Sequence, residues 1–93
     1  MRTHTRPRRV THVLTQRVSG RLVLLDAQTG AYYSLDDVGA RVWELCDGSR
    51  TVADAVAVIC GEYAADASTI EADVVSLLGD LSRERLIQEN PDV

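Results

Sequence analysis

The stretch that decides the fold is Arg21-Leu22-Val23-Leu24-Leu25-Asp26, followed after Ala27-Gln28-Thr29-Gly30 by Ala31-Tyr32-Tyr33-Ser34-Leu35. Two short runs of aliphatic, β-branched and aromatic residues flank a segment whose glycine can take positive φ, the pattern of a β-hairpin. Towards the N-terminus, Ser19-Gly20 makes a second tight turn, and Thr11 to Val18 before it has the composition of another strand. Three strands joined in this way form a meander, with the second strand central and the first and third at its edges.

Towards the C-terminus the period becomes helical at Asp36, a candidate N-cap, with Val38, Val42, Trp43, Leu45 and Cys46 as the apolar set and Asp47-Gly48 as the stop. Thr51 can cap a second helix from Val52 to about Tyr63. Ser68-Thr69-Ile70-Glu71 has the capping-box pattern and predicts the start of a third helix running to about Glu84. Leu86 and Ile87 then return to the core. The fold class is α+β: a three-stranded antiparallel meander followed by three helices, a winged-helix-like layout.

The chain has 93 residues, 45% hydrophobic and 26% charged, which suits one small globular domain. All ten basic residues are arginine, and six of them (Arg2, Arg6, Arg8, Arg9, Arg17, Arg21) fall in residues 1–21, which contain no acid. The rest carries 14 acids against four arginines. A uniformly basic nucleic-acid binder is therefore disfavoured. No apolar run approaches the roughly 20 residues of a membrane span, and no signal-peptide pattern follows the basic N-terminus. The reading is cytoplasmic, with Cys46 and Cys60 as buried thiols rather than a disulfide. Residues 1–8 lack an apolar pattern and contain Pro7, so they are expected to be a disordered basic arm. Residues 9–88 are expected to fold as one domain, and residues 89–93 to be a disordered tail.

Catalytic chemistry finds few candidates. His4 lies in the expected mobile arm and His12 reads as an exposed strand residue, so neither is held as a general base must be. Cys46 and Cys60 do not have the short paired spacing of a zinc site, and no cofactor or metal is expected. Lysine is absent, and the glycines are scattered singly, so no phosphate loop is present. Asp36-Asp37 is explained by a cap and the acid that favours a helix N-terminus.

Binding remains. As a winged helix the chain would lay its third helix in a DNA groove, yet that helix carries Glu71, Asp73, Asp80 and Glu84 against Arg83 and Arg85, the wrong sign for phosphates. The alternative use is to accept a peptide. The third strand, Ala31 to Leu35, has neither charge nor proline to blunt its edge, so it is a candidate for strand addition. Being short, or being covered by the third helix, would also explain it. On that helix Ile70, Val74, Leu77, Leu78 and Leu81 form an apolar stripe bordered by Asp73, Asp80 and Glu84. The stripe could be plain core, or it could give one flank to the wall of a groove floored by the third strand.

Leu24 to Leu35, then Asp37-Val38-Gly39-Ala40-Arg41-Val42-Trp43-Glu44-Leu45-Cys46-Asp47-Gly48, Arg50-Thr51-Val52, Asp73-Val74 and Leu81 to Leu86-Ile87, together resemble the PqqD-like proteins. The resemblance covers about residues 9–88. It implies a peptide-recognition domain that binds the leader of a ribosomally made precursor peptide on its third strand, against its third helix, while a partner enzyme acts on the peptide. The turn, the tyrosine pair and the Asp-Gly helix exit look most like the free-standing leader-binding proteins of lasso-peptide pathways, in which a separate cysteine peptidase removes the leader. A PqqD-type partnership with a radical enzyme is the other reading within the family. Carried over by position, Ala31, Tyr32, Tyr33, Ser34 and Leu35 would pair with the leader. Ile70, Asp73, Val74, Leu77 and Asp80 would line the opposite wall, with Trp43, Leu45 and Val56 in the core. The six-arginine segment is then a solvated, edge-protecting tail or a docking arm for the enzyme.

Overall fold

The computed structural model describes residues 2–90. Its elements are β1 (Arg6–Arg9), β2 (Val13–Val18), β3 (Arg21–Asp26), β4 (Tyr32–Leu35), α1 (Asp37–Leu45), α2 (Val52–Glu62), α3 (Ala67–Arg83) and β5 (Ile87–Asn90). The expected meander is present as β2-β3-β4, and it is followed by the three expected helices. Both hairpins turn where the sequence allows positive φ, at Ser19-Gly20 (52° and 81°) and at Gly30 (79°). The second turn is locked by Asp26, whose carboxylate accepts the Gln28 N–H at 2.9 Å and the Thr29 N–H at 3.3 Å.

Alternation along the strands places Leu22, Leu24 and Leu35 on the inner face of the sheet. They meet Val42, Trp43 and Leu45 of α1, Ile59 of α2, and Val74, Leu78 and Leu81 of α3 in one core. Val56 packs half-buried against it. The caps expected at α1 and α2 are made: Asp36 accepts the Gly39 N–H at 2.8 Å, and Thr51 with Asp54 forms a reciprocal capping box. The box expected at Ser68-Glu71 is not used. Asp66 caps α3 by accepting from Thr69, and Ser68 donates to the same carboxylate. A carboxylate two residues upstream is the better acceptor for the orphan N–H groups, so the helix starts at Ala67 and Glu71 is left exposed.

The largest departure from expectation is at the chain ends. Residues 3–8 are not a disordered arm. β1 pairs antiparallel with β5 in a two-stranded sheet, Arg6 opposite Asn90 and Arg9 opposite Ile87. Glu89 and Asn90, expected in a disordered tail, belong to that ladder; Met1 and residues 91–93 lie outside the described residues. Pro7 is fully buried and Thr5 is 9% exposed. The segment also satisfies helix ends, because the Val52 and Ala53 N–H groups at the start of α2 donate to the Thr5 and Thr3 carbonyls at 2.9 Å each. The Arg9 guanidinium donates to the Trp43 and Glu44 carbonyls at the end of α1, each at 2.8 Å. These partners lie far away in sequence, so the local composition of residues 3–9 carries no trace of them.

Both cysteines are free, Cys46 buried and Cys60 half-buried. Burial pushes the Cys46 thiol up to about 12, against the pull of nearby Arg9, and the thiol donates to the Val42 carbonyl at 3.2 Å. His12 sits in the turn before β2 rather than on an exposed strand position, half-buried with Nε2 3.6 Å from Asp26 Oδ1.

Candidate functional site

β4 lies at one edge of the meander. The Asp26 N–H donates to the Ala31 carbonyl at 2.8 Å, and in an antiparallel ladder bonded pairs recur at every second residue. With the observed register, Leu24 with Tyr33 and Leu22 with Leu35 are the next bonded pairs. Tyr32 and Ser34 therefore turn their N–H and C=O groups away from β3, towards the open side. The four outward backbone groups come from two of the five residues expected to pair with a peptide, and one of them, the Ser34 carbonyl, accepts from Arg21 Nη2 at 3.5 Å. Tyr33 and Leu35 have their backbone directed at β3, as does the Ala31 carbonyl, while the Ala31 N–H donates to Thr29 Oγ1 at 3.2 Å.

Facing this edge is a groove of about 550 Å³. Ser34 and Leu35 form its strand side, and Thr69, Ile70, Asp73, Val74 and Leu77 of α3 form the opposite wall. Those α3 positions recur at helical spacing and span about 12 Å along the helix axis, close to the length of four extended residues at about 3.3 Å each. The stripe on α3 thus divides: Leu78 and Leu81 go to the core, and Leu77 stays half-buried at the groove. Asp80 is outside the lining and pairs with Arg83 at 3.0 Å. Tyr32 points to solvent at 75% exposure. Tyr33 points inward and donates its hydroxyl to Glu84 Oε2 at 3.0 Å, which fastens β4 to the end of α3. That bond to a carboxylate, with some desolvation, raises the phenol above its ordinary value.

The floor of the groove was not anticipated from the sequence. Val38, Gly39 and Val42 of α1, together with Ile59, Tyr63, Ala64 and Ala65 at the end of α2, close it from below. Val38 and Val42 are part of the helical apolar set, but periodicity cannot tell which members face a groove and which a core. Arg21 is the second unanticipated group. From β3 its Nε donates to Ser34 Oγ at 2.6 Å, so a cation lies over the open edge opposite the Asp73 carboxylate on α3. Among the described residues no group of His, Cys, Asp and Glu side chains could hold a metal ion, and no helix is long and apolar enough to cross a membrane. A strand edge with no strand beside it, next to an apolar, helix-walled groove of matching length, is an arrangement that can hold an extended peptide.

Residues 21–87, most of the chain, match the family described as Coenzyme PQQ synthesis protein D (PqqD). The chain belongs to the PqqD family. A relative named PqqA binding protein from Rhodopseudomonas palustris (strain HaA2) is 37% identical over 54 residues, 58% of this chain and 53% of the relative. Another of that name from Xanthomonas euvesicatoria pv. vesicatoria (strain 85-10) is 39% identical over 54 residues, 58% of this chain and 59% of the relative. The match thus spans a little over half the length of these curated relatives. Among solved structures, TbiB1 in complex with the TbiA(beta) leader peptide is 33% identical, with a TM-score of 0.77, covering 91% of this chain and 99% of that one. Lasso peptide synthetase B1 complexed with the leader peptide has the same TM-score at 22% identity, covering 89% and 98%, and is similar in fold. The α+β meander-and-helices architecture is that of the PqqD family, with β1 and β5 adding a second sheet.

Proposed function

We propose that this PqqD-family protein is a non-catalytic adaptor that binds the leader of a ribosomally made precursor peptide. The leader adds as a strand to β4, and the adaptor presents it to a separate cysteine leader peptidase of a lasso-type pathway. The observation that carries the reading is the open β4 edge, where Tyr32 and Ser34 turn their backbone groups away from β3, facing an α3 wall across a groove of about 550 Å³. Its support from relatives is TbiB1, named for its complex with a leader peptide and 33% identical over 91% of this chain.

In this reading Tyr32 and Ser34 supply the backbone bonds, each contributing about 1 kcal/mol net. Alternate side chains of the leader enter the groove against Leu35, Ile70, Val74 and Leu77, and Asp73 and Arg21 set a polar preference at its two sides. Ala31 and Tyr33 keep the strand in register rather than touch the peptide, and Asp80 borders the site. Calorimetry of the protein with the leader of its own precursor, and with the TbiA(beta) leader peptide as a second probe, tests this. Heat of binding in the micromolar range or tighter, lost in Leu77→Asp, is the expected result. No heat and no gain in thermal stability with either peptide sinks it.

A second reading is favoured by the curated relatives, which are named for binding PqqA. Here the same groove would carry its peptide to a radical enzyme instead. Titration with PqqA beside the lasso leader separates the two by which peptide is bound. Duplex DNA is the weaker alternative, since α3 presents Glu71, Asp73 and Asp80 to its surroundings. A cytoplasmic location accords with two cysteines that are both free thiols.

A further inference from the structure

Over the edge of β4 lies a cation that no carboxylate of the chain answers. Arg21 and Ser34 share the outer face of the meander, because Val23 pairs with Ser34 and stands two residues from Arg21. The Arg21 Nε donates to Ser34 Oγ at 2.6 Å, and Nη2 donates to the Ser34 carbonyl at 3.5 Å. These bonds fix the guanidinium over the strand and leave its Nη1 side without a partner among the described residues. Four other arginines do meet carboxylates: Arg17 with Asp37, Arg41 with Glu62, Arg50 with Asp47 and Arg83 with Asp80. Two acids line the same groove as Arg21. Asp36 is engaged as the cap of α1 through the Gly39 N–H, and the exposed Asp73, on the far wall, makes no ion pair among the described residues.

We propose that Arg21 sets the register of the bound leader by taking a carboxylate, from Asp or Glu, on the leader residue that lies opposite Ser34. The proposal rests on the leader reading above and names a feature of the peptide that this edge takes. In a β-ladder, paired residues send their side chains to the same face, with Cβ atoms about 5 Å apart. The leader residue opposite Ser34 therefore points to the face of Arg21. The leader residues on either side of it point into the groove, towards Leu35, Val74 and Leu77. A strand laid along β4 also takes water from the guanidinium, and a cation covered without an opposite charge is destabilising. With Asp36 engaged and Asp73 on the other wall, the answering acid comes with the peptide.

Asp73 sharpens the choice of register. A slip of one residue turns every leader side chain to the other face, so the acid would enter the groove against Ile70, Val74 and Leu77 and beside a second carboxylate. A slip of two residues keeps the face but carries the acid roughly 7 Å past Arg21. A leader segment that runs apolar, acidic, apolar, with its acid opposite Ser34, satisfies both sides at once. The contrary use of Arg21 is to blunt a bare strand edge, and it has the opposite consequence for leader affinity.

A double-mutant cycle tests this, with the leader of the protein's own precursor as the probe and calorimetry as the readout. Each Asp or Glu of the leader is changed in turn to Asn or Gln and titrated into wild type and into Arg21→Gln. Arg21→Gln should weaken the unmodified leader about fivefold, with a melting temperature near that of wild type because Arg21 is exposed. One leader acid should lose the same factor when neutralised against wild type, and nothing further against Arg21→Gln. Moving that acid by one residue should weaken binding more than removing it. Raised salt should shrink the advantage of wild type over Arg21→Gln. Should Arg21→Gln fail to fold, Arg21→Lys keeps the charge without the planar fork and should still lose about twofold, coupled to the same leader acid. Leader affinity that is unchanged or rises in Arg21→Gln overturns the proposal, as does a cycle in which every leader acid is additive with Arg21. If wild type binds no leader, the leader reading fails and this one with it. If wild type and the Arg21 variants bind the leader equally, only the register role fails.

Discussion

β1 and β4 are both four-residue strands, and they invert each other. β1, Arg6-Pro7-Arg8-Arg9, has the composition of a solvated tail, yet its surroundings use it heavily. It is laddered to β5, its proline is fully buried, and its neighbours terminate two helices. β4, Tyr32-Tyr33-Ser34-Leu35, has the composition of a core strand, yet half of its backbone groups face away from its only ladder. Side-chain composition reports how a segment is solvated when alone. Whether its backbone is satisfied depends on what the rest of the chain brings beside it. In this protein the segment that looks idle holds the fold together, and the segment that looks structural is the one with an open edge.

The largest effect should come from breaking the β1 side of this contrast. Deleting residues 2–9 exposes the N-terminus of α2, the last carbonyls of α1 and one edge of β5. Several bonds of about 1 kcal/mol each are lost, together with Pro7 burial, so the unfolding free energy should fall by about 3 kcal/mol or more. Urea denaturation measures this, and a fall of only a few tenths would return the segment to the role of a tail. A disordered docking arm would have predicted reduced peptidase stimulation with leader binding intact; a strap predicts loss of the whole fold's stability.

Next in size is the wall across from β4. Leu77→Asp places a charge in the apolar groove and should cost leader affinity about 1.5–3 kcal/mol, read by calorimetry, while the melting temperature changes little because Leu77 is half-buried. A smaller effect is expected of Ser34→Pro, which deletes one outward N–H at the β4 edge and should weaken the leader about fivefold with the ladder to β3 intact. If Ser34→Pro unfolds the protein and leaves no soluble domain, the outward assignment of that N–H is wrong.

The smallest effect concerns the hairpin that carries β4. Burial by itself would raise the Asp26 carboxyl, but the Gln28 and Thr29 N–H groups and nearby His12 outweigh it and hold the group below its ordinary value. A carboxyl lowered on folding contributes stability that is complete above its unfolded value near 4 and is lost as pH falls through the lower, folded value. Melting temperature should therefore drop below about pH 4, with a shallower drop in Asp26→Asn. An identical acid profile for that variant would show that the turn does not depend on the charged form.

The same physics explains which parts were legible in advance. The turns at Ser19-Gly20 and Gly30 and the caps at Asp36 and Thr51 are local, set by a few neighbouring residues. They were read correctly. The Ser68-Glu71 box was misread because Asp66, a stronger acceptor, lies just upstream. The wall residues Ile70, Asp73, Val74 and Leu77 came from the family resemblance, since helical period leaves open which flank of α3 faces the strand; all four line the groove. Asp80 shares that period but turns past the rim, one helical turn beyond Leu77.

What the amino-acid order determined by itself was the division into a strand half and a helix half, the register of the meander, most helix ends, and the uneven split of arginine and acid along the chain. All of these rest on interactions between residues a few positions apart. The tertiary structure decided that β1 and β5 pair, that α1 and α2 floor the groove, and that the outer edges of β2 and β4 have no strand beside them among the described residues. Those outcomes depend on segments meeting across the whole chain, and a strand edge is open or closed only by virtue of what comes to lie next to it.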